Sequence, residues 1–414
     1  MKTFRSHGAI LHADFSKRRR ILKIACLIHS LDGGGAERVL AGLANRLALR
    51  GHKVVLVTLD DGRVSRHPVD DAVRRVPLNV LSTPQRRVSP IRRLLEVRRF
   101  FRQHPFDVLL TFCDTNNLLG LAATVGIQLP VVAAERNDPR AQYLGTAKEW
   151  ARRRLYHRAS RVICLSDDVA QHLQATTGCR AVAIASAIEP PPTNSQKLSS
   201  ESVETPAETG VAQKANADRN PHLGRPSESS LMKVVAVGRL EPQKGFDRLL
   251  RVLARIDREL PDWTLQILGE GSCRGELEQL ADRLGLTGRV TMPGWVSPVW
   301  DVLVESDLFV LCSRYEGFPS ALLEAMSAGV ASLVVDASGG VRDIVRHDAN
   351  AWLVENSEEA IAVGLRRLLH DHSLRGRLAE RATEVVDRFG WEKMVDAYEE
   401  VLDQAAGSPR HLSE

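Results

Sequence analysis

The sequence predicts an α/β protein in which two doubly wound domains follow one another along the chain. Short β-rich apolar runs alternate with amphipathic segments of helix length almost throughout. This alternation is typical of a parallel sheet with helices on both of its faces. The alternation stops near residue 189 and starts again near residue 233, and a chain of 414 residues is long enough for two domains.

The first series of elements begins with the first apolar run of the chain. A helix is predicted over residues 36–50, and Gly51 is suited to end it because glycine readily adopts the left-handed conformation found after many helices. We assign residues 21–188 to an N-terminal Rossmann-like domain. Its strands are predicted over residues 22–29, 54–59, 108–112, 131–134 and 161–165, with helical segments between them.

The second series follows an interruption of different composition. Residues 189–230 are rich in Pro, Ser, Glu and Asn and contain few aliphatic residues. Such a segment cannot bury enough apolar surface to offset the entropy lost on ordering, so we expect a disordered linker. A second Rossmann-like domain is predicted over residues 231–389, with strands in KVVAVG, TLQILG, RVTM, DLFVLC and ASLVV.

The two ends of the chain differ in character. The first 20 residues are basic and lack the apolar core of a secretory signal, so we expect a disordered extension. Residues 390–405 are predicted to form a helix with one apolar stripe, which needs a surface to dock on, and residues 406–414 are predicted to be a tail. The stripe consists of Trp391, Met394, Val395, Tyr398, Val401 and Leu402.

Composition argues against several classes of protein. No run of about 18 apolar residues is present, so no transmembrane helix is expected. The six cysteines are scattered without a Cys-x-x-Cys pair, which favours buried free thiols and a reducing, cytoplasmic compartment. The histidines lack the spacing of metal ligands and no Gly-x-Ser-x-Gly motif occurs, so we expect neither a metal site nor a serine nucleophile.

The net charge of +5 is unevenly distributed, with two basic clusters in the N-terminal half. Each is either a solvated helix face or a surface that attracts anionic lipid head groups, at the inner face of the cell membrane, or phosphorylated acceptors. Arg98 and Arg102 interrupt the apolar arc of the helix that carries the first cluster, which leaves these alternatives open. No nucleic-acid partner is expected. The clusters are Arg86, Arg87, Arg92, Arg93, Arg98, Arg99 and Arg102, and Lys148, Arg152, Arg153, Arg154, Arg158 and Arg161.

Two glutamates in CSRYEGFPSALLEAMSAG are the most informative feature of the chain. Glu316 follows an apolar strand, and open α/β sheets bind ligands at the carboxyl ends of their strands. Ser320 is suited to cap a helix that starts near residue 321, which places Glu324 in the first helical turn beside backbone N–H groups that favour an anion. Two carboxylates beside such a helix start fit a phosphorylated molecule with hydroxyl groups at both ends. A nucleotide sugar has this layout.

Two cations follow the first strand of the second domain. Arg239 and Lys244 lie in one short loop, and Gly238 allows close approach of the backbone. Paired cations at the carboxyl end of a strand can neutralise a diphosphate. A solvated surface loop is the alternative, but the same sheet edge carries Glu316, which favours phosphate binding.

Two segments of the first domain are candidates for the opposite side of the site. Gly33, Gly34 and Gly35 lie between the first strand and the first helix, where backbone N–H groups can meet an anion, and Glu37 follows. The dinucleotide fingerprint Gly-x-Gly-x-x-Gly is absent. The ERNDP segment at residues 135–139 follows a strand and is either a set of acceptor or sugar contacts or a turn that opens the next helix.

Together these segments resemble the retaining glycosyltransferases of the GT-B fold, the family with the Glu-x7-Glu motif (family 4, "glycosyl transferases group 1"). The matching pieces are GGGAE, VGRLEPQKG, GEG, EGFPSALLEA and the last helix. The resemblance implies two Rossmann-like β/α/β domains that face a central cleft, with the C-terminal helix crossing back to the first domain. It also implies transfer of a hexose or N-acetylhexosamine from a nucleotide diphosphate sugar to a hydroxyl of a glycan or lipid-linked acceptor. Such a reaction belongs to surface polysaccharide or glycoconjugate synthesis, proceeds with retention, and needs no metal ion or other cofactor.

Roles for individual residues follow from the resemblance. Arg239 and Lys244 are expected to bind the donor diphosphate and assist its departure. Glu316 is expected to contact sugar hydroxyls, and Glu324 the ribose. Further donor contacts are implied for Gly34, Gly35, Gly238, Gly269, Trp295, Val296, Gly317, Phe318, Pro319 and Ser320. Acceptor-side contacts are implied for Glu37, Arg136 and Asn137, and the ERND form resembles a subgroup that acts on N-acetylhexosamines.

Three other functions fit parts of the sequence. A nucleotide-sugar epimerase or hydrolase of the same fold would consume the donor with no acceptor present. A dehydrogenase is disfavoured because the dinucleotide fingerprint is absent. A non-catalytic nucleotide-binding protein is disfavoured by the presence of Glu316, Arg239 and Lys244.

Overall fold

A computed structural model of the chain describes residues 20–81, 87–140, 144–191, 231–337 and 339–407. Two β-sheets organise this part of the chain. Every pairing between neighbouring strands within them is parallel. The predicted α/β class with two parallel, doubly wound sheets is therefore confirmed.

The first sheet is covered on both faces. Alternate residues of its central strand enter two separate cores, Ile24 and Cys26 on one face and Ala25 and Leu27 on the other. The strands are β1 (Lys23–Ile28), β2 (Lys53–Thr58), β3 (Arg74–Pro77), β4 (Val108–Phe112), β5 (Val131–Ala134), β6 (Arg161–Cys164) and β7 (Ala181–Ala183), in the spatial order β3-β2-β1-β4-β5-β6-β7. The helices are α1 (Gly35–Leu49), α2 (Pro90–Gln103), α3 (Asp114–Ala123), α4 (Thr146–Leu155) and α5 (Asp167–Thr177).

The second sheet repeats this plan. Val234 and Ala236 of its central strand enter one core and Val235 enters another. The strands are β8 (Met232–Val237), β9 (Trp263–Leu268), β10 (Val290–Gly294), β11 (Leu308–Leu311), β12 (Ser332–Val335) and β13 (Trp352–Val354), in the order β10-β9-β8-β11-β12-β13. The helices are α6 (Phe246–Ile256), α7 (Arg274–Arg283), α8 (Trp300–Val304), α9 (Ser320–Ser327), α10 (Gly339–Ile344), α11 (Glu358–His370), α12 (His372–Ala382) and α13 (Val385–Arg388).

Three short strands, β3, β7 and β13, are absent from the sequence prediction. Strand β3 lies at the edge of its sheet, carries exposed Arg74 and Arg75 and ends at Pro77, so its composition is that of a loop. Strands β7 and β13 have 3 residues each, too few to produce a recognisable alternation.

The C-terminal helix α14 (Trp391–Gly407) crosses from the second domain to the first, as predicted. Its buried stripe joins the core on one face of the first sheet. A Cβ atom on Gly42 of α1 would overlap the ring of Trp391, so a glycine is needed where the two helices approach. The helix extends beyond the predicted end at residue 405, so residues 406–407 are helical and the prediction of a tail there is wrong.

Other predictions fall on different parts of the chain. Residues 1–19 of the extension, 192–230 of the linker and 408–414 of the tail lie outside the described residues, as does Arg86. All six cysteines are free thiols, as predicted. Among the described helices, none is long and apolar enough to cross a membrane.

The second basic cluster is less uniform than the sequence indicates. The sequence places Arg152 on the surface of this cluster. The side chain of Arg152 is instead buried and pairs with Glu149, with Nη1 and Oε2 3.0 Å apart. Burial against Tyr156 explains the difference, because the guanidinium lies over the ring of that residue, 6.0 Å from its centroid. Arg152 is therefore part of the interior of the first domain.

Candidate active site

The carboxyl ends of the strands of the two sheets face one another across a cleft. Gly317, which follows β11, lies against the backbone of the first domain: a Cβ atom on it would lie 3.0 Å from the carbonyl oxygen of Arg136 and 3.2 Å from Cα of Asn137. A Cβ atom on Gly35 would lie 3.8 Å from Oγ of Ser320. The predicted central cleft is therefore present, and residues assigned to the two sides of the site meet across it.

A buried ion pair lies on the second-domain side of the cleft. Nζ of Lys244 is 2.6 Å from Oε1 of Glu316, and the two side chains are only 15% and 6% exposed. The hydroxyl of Ser313 donates to the same carboxylate oxygen over 2.5 Å. Both donors use Oε1, so these two contacts leave Oε2 of Glu316 unused.

Several contacts fix this ion pair in place. Buried Arg248 donates to the carbonyl oxygens of Cys312 and Ser313, each over 2.7 Å. The thiol of Cys312 donates to the carbonyl oxygen of Lys244 over 3.2 Å. Gly245 has a φ of +69° and a Cβ atom there would overlap the carbonyl oxygen of Cys312, so only glycine fits. The end of β11 and the turn that carries Lys244 are thereby held together.

Glycines bring the neighbouring strand ends close to Lys244. A Cβ atom on Gly238 would lie 3.0 Å from Cε of Lys244, and one on Gly269 would overlap the carbonyl oxygen of Gly238. Arg239 is exposed at the same edge, with Nη2 3.5 Å from Oε1 of Gln243. The structure thus brings together Gly238, Arg239, Lys244 and Gly269, as the sequence predicts. Gly269 approaches the backbone of Gly238 rather than the two cations.

The segment from Gly317 to Ser320 leads from β11 into α9. Phe318 is buried and packs edge-on against Phe389, with ring centroids 5.6 Å apart. The prediction of Ser320 as the helix cap is wrong: Pro319 occupies that position and α9 begins at Ser320 itself. A proline fits a helix start because its missing N–H group has no partner to lose there. The first N–H groups of α9 consequently lie beside Gly35 at the cleft.

Glu324 differs from the prediction in two ways. It lies in the second turn of α9, because the helix begins one residue earlier than expected. The first turn of α9 therefore contains no acidic residue. It is also paired across the cleft, since Nη1 of Arg38 on α1 donates to its Oε1. Arg38 is not among the site residues that the sequence predicts. Its position near the start of a helix could have identified it, because a cation there opposes the helix dipole and is stabilised by an acidic partner.

A loop of the first domain reaches the predicted base-binding segment. Trp295 is 48% exposed, and the guanidinium of Arg66 lies 5.9 Å from the centroid of its ring. Arg66, in the loop after β2, also pairs with Asp32, with Nε and Oδ1 3.0 Å apart. Val296 packs partly buried against the second-domain core. Arg66 is not among the predicted site residues, because nothing in the local sequence indicates that its loop crosses the cleft.

The glycine turn of the first domain closes on Glu37. Gly33 and Gly34 have φ values of 120° and 107°, which favour glycine, and Gly34 is the N-cap of α1. A Cβ atom on Gly34 would overlap Oε2 of Glu37. Oε1 of the same carboxylate lies 3.1 Å from Nε2 of His29. Glu37 is therefore held by His29, which is also not among the site residues that the sequence predicts.

Glu135 of the ERND segment lies inside the first domain. Its carboxyl group is fully buried and accepts a hydrogen bond of 2.5 Å from the hydroxyl of Tyr156. Burial raises the pKa of this carboxyl to about 7, and the nearby Arg152 opposes the rise. Glu135 is thus a supporting residue beneath the cleft and titrates in a range in which most carboxyls are ionised.

The next residues of this segment return to the cleft through their backbone. The carbonyl oxygen of Arg136 lies beside Gly317, while its side chain donates from Nη2 to Oγ of Ser186 over 2.7 Å. Oδ1 of Asp138 accepts from the backbone N–H of Arg140 over 2.9 Å. That bond is the turn chemistry that the sequence left as an alternative for this segment.

The cleft combines cations from both domains with carboxylates. Lys244 and Arg239 lie on one side, Arg38 on the other, and Glu316 and Glu324 lie beside the start of α9. This arrangement can bind an anion flanked by groups that carry hydroxyls. Within the described ranges, no three His, Cys, Asp or Glu side chains are grouped so as to hold a metal ion.

Comparison with known proteins identifies the two halves of the chain separately. The family described as "Glycosyl transferases group 1" matches residues 226–385, and "Glycosyltransferase Family 4" matches residues 33–188. The two matches correspond to the second and first sheets.

Relatives of similar length and solved structures agree with these matches. The chain is 27% identical over 374 residues to the lipopolysaccharide core biosynthesis glycosyltransferase LpsE of Rhizobium meliloti, covering 89% of this chain and 96% of that protein. It is 26% identical over 369 residues to an α-1,4-N-acetyl-D-galactosaminyltransferase of Campylobacter jejuni that is named for a diphospho-undecaprenol-linked glycan, covering 88% of this chain and 93% of that protein.

Among solved structures, Anabaena HepE in complex with UDP and glucose has a TM-score of 0.71 at 20% identity, covering 92% of this chain and 99% of that chain. WaaG, a glycosyltransferase involved in lipopolysaccharide biosynthesis, has a TM-score of 0.67 at 20% identity with the same coverage of 92% and 99%. These likenesses show the fold. The chain belongs to the GT-B glycosyltransferases of family 4, the glycosyl transferases group 1.

Proposed function

We propose that the chain transfers a hexose or N-acetylhexosamine from a nucleotide diphosphate sugar to a hydroxyl of a glycan or lipid-linked acceptor in surface polysaccharide or glycoconjugate synthesis. The observation that carries this proposal is the buried pair of Lys244 and Glu316 beside the start of α9. A diphosphate needs cations and free N–H groups, and a sugar needs a hydrogen-bond acceptor for its hydroxyls. The cleft offers both within one sheet edge.

We propose one orientation of the donor at this edge. Its diphosphate lies at Lys244, Arg239 and the start of α9, with Gly34 and Gly35 opposite. The transferred sugar lies at Oε2 of Glu316. The ribose lies at Glu324, whose present partner is Arg38, and the base lies towards Trp295. Donor binding therefore requires two ion pairs to open, Lys244 with Glu316 and Arg38 with Glu324.

The reaction transfers the anomeric carbon from one oxygen to another. Its bond to the diphosphate oxygen breaks, the electron pair stays on the diphosphate, and the acceptor oxygen forms the new bond. Lys244 and Arg239 stabilise the charge that develops on the leaving group, so we propose a reaction that is independent of metal ions. We also propose retention by attack of the acceptor hydroxyl on the face that the diphosphate leaves, with Oε1 of Glu316 still accepting the hydrogen bond of Ser313 rather than acting as a nucleophile. Closure of the cleft limits hydrolysis.

The relatives support particular substrates as first choices. HepE has been solved with UDP and with UDP-glucose, and the Campylobacter jejuni relative is named as an N-acetylgalactosaminyltransferase that acts on an undecaprenol-linked acceptor. We therefore propose uridine diphosphate sugars as donors to test first. Undecaprenyl-diphosphate-linked sugars and lipopolysaccharide core are the acceptors to test first.

Transfer assays with a panel of these donors and acceptors test the proposal. We expect product only when both are present, with the anomeric configuration of the donor retained in its NMR spectrum and with activity that survives a chelator. Lys244→Ala is expected to abolish transfer while the protein stays folded, and Arg346→Ala, in an exposed ion pair outside the cleft, serves as the matched control. Donor turnover with no acceptor would instead support a hydrolase or epimerase.

We also propose that the first domain binds an anionic membrane at the cytoplasmic face. Helix α2 exposes Ile91 and Leu95, which are 71% and 58% exposed, and α4 exposes Trp150. Not every cation of these helices is free, because Arg98 donates to the carbonyl oxygen of Ala123 over 3.0 Å. The exposed cations on these two helices and just after α4 are Arg92, Arg99, Arg102, Lys148, Arg153, Arg154 and Arg158.

Vesicle sedimentation tests this second proposal. We expect binding to phosphatidylglycerol vesicles that weakens as salt is raised, because screening shortens the reach of the arginines. Replacement of Ile91 and Leu95 by Ser is expected to weaken it further. Equal binding to neutral phosphatidylcholine vesicles, independent of salt, would contradict the proposal.

A further inference from the structure

His29 lies at the carboxyl end of β1, at the sheet edge that faces the cleft. Its Nε2 is 3.1 Å from Oε1 of Glu37, and its side chain is 44% exposed while that of Glu37 is only 9% exposed. A carboxylate beside Nε2 holds the proton of a neutral imidazole on that nitrogen and leaves Nδ1 as the acceptor. Within the described chain, Nδ1 makes no hydrogen bond.

The surroundings of His29 stabilise its protonated form. The hydrogen bond that His29 donates to Glu37 raises the pKa of His29, partial burial opposes the rise, and the charges of Glu37, Asp60 and Asp114 add to it. These carboxylates come from α1, from the loop after β2 and from the start of α3. An imidazolium formed at His29 is therefore stabilised by the negative charge of three carboxylates.

The position of His29 is opposite to that of the donor residues. Glu37 belongs to the first turn of α1, whose first residue, Gly35, lies close to Ser320 of the second domain. The cations and carboxylates assigned to the donor come from the second domain. The acceptor enters from the first domain, where a group is needed to take the proton of its hydroxyl.

We propose that His29 is the catalytic residue that receives the acceptor hydroxyl, held in place by Glu37. Nδ1 accepts the hydrogen bond of the hydroxyl and takes its proton as the acceptor oxygen bonds to the anomeric carbon. The bond from that carbon to the diphosphate breaks and its electron pair stays on the diphosphate. The imidazolium later loses its proton to the departing diphosphate or to water. This inference rests on the proposed transfer reaction.

The pH dependence of transfer, with the donor and acceptor that turn over in the panel, tests this role. For His29→Gln we expect kcat/KM for the acceptor to fall by about 10²- to 10⁴-fold, the usual contribution of a general base. The acidic limb of the profile should disappear. Glu37→Gln should move that limb to lower pH, because the group that raises the pKa of His29 is lost. The dissociation constant of UDP should not change in either variant.

A matched control is His157→Gln. His157 lies in the turn before β6, at the amino ends of the strands, whereas His29 lies at a carboxyl end. It should keep both the wild-type rate and the wild-type profile. Wild-type turnover tests the proposed function itself, and the variants then test His29 alone. A His29→Gln enzyme that keeps the acidic limb, turns over at the wild-type rate or loses UDP affinity would overturn the assignment.

Discussion

Replacing Glu316 by Gln removes one charge from the ion pair of the cleft and keeps the shape of the side chain. In the wild type the two side chains are 15% and 6% exposed and their charged atoms are 2.6 Å apart. Removing one partner of a buried ion pair costs about 3–5 kcal/mol, because the other charge stays buried without compensation. We expect the lower end, about 3 kcal/mol, since the ammonium of Lys244 keeps some contact with water. For a domain of this size that corresponds to a fall in melting temperature of roughly 6–12 °C.

The same substitution should strengthen the response to nucleotide. With Glu316 neutral, Lys244 is no longer held away from the diphosphate, so UDP is expected to stabilise Glu316→Gln by more than it stabilises the wild type. Transfer should still be lost, because an amide oxygen is a weaker acceptor for the sugar hydroxyl than a carboxylate. Denaturant titrations with and without UDP measure both effects in one set of samples.

The double variant Glu316→Gln/Lys244→Met is the matched control. It leaves no unpaired charge, so it should recover most of the lost stability and should lose the response to UDP. If Glu316→Gln unfolds at the same denaturant concentration as the wild type, the ion pair does not exist as a buried contact in solution. Glu316 would then not hold Lys244 away from the diphosphate.

Three further predictions concern the surroundings of the cleft. Arg38→Gln frees Glu324 for the ribose and is expected to lower the dissociation constant of UDP by about two- to fivefold, the range for a partly exposed pair, in calorimetric titration. Glu135→Gln should remove a pH dependence of the free energy of unfolding. The pKa of Glu135 in the folded protein, about 7, exceeds the ordinary 4.5. The stability that this carboxyl contributes is therefore full below a pH of about 4.5 and is lost, by roughly 3 kcal/mol, as the pH rises through about 7. Gly245→Ala should cost more than about 2 kcal/mol in denaturant unfolding, because a strained φ and an overlap with Cys312 add together.

Each of these has an outcome that contradicts it. Weaker UDP binding by Arg38→Gln would mean that Arg38 binds the nucleotide itself. A wild-type slope of stability against pH that persists in Glu135→Gln would place the titrating group elsewhere. Gly288→Ala is the matched control for Gly245, since its φ is +83° and a Cβ atom there meets nothing within 4 Å. Equal losses for the two alanine variants would show that the overlap at Cys312 is relieved at no cost.

The fold and one side of the site follow from local sequence patterns. Carboxyl ends of parallel strands meet at one edge, so Glu316 could be placed beside Arg239 and Lys244 although it is distant from them along the chain. The C-terminal helix α14 could be predicted because its single apolar stripe needs a partner surface.

Contacts between the two domains could not be predicted in this way. The pairing of Arg38 with Glu324 and the approach of Arg66 to Trp295 depend on how the domains are placed relative to each other. No local periodicity encodes that placement. The helix start at Ser320 was missed for a different reason, because a serine and a proline both suit a helix start and their order decided the outcome.

The most direct test of the account is a crystal structure of the protein with UDP bound. We expect the diphosphate within hydrogen-bonding distance of Lys244 and of the first N–H groups of α9, with the ribose on Glu324 in place of Arg38. Lys244 should have moved away from Glu316. Nucleotide bound elsewhere, with both ion pairs intact, would contradict the assignment of this cleft as the donor site.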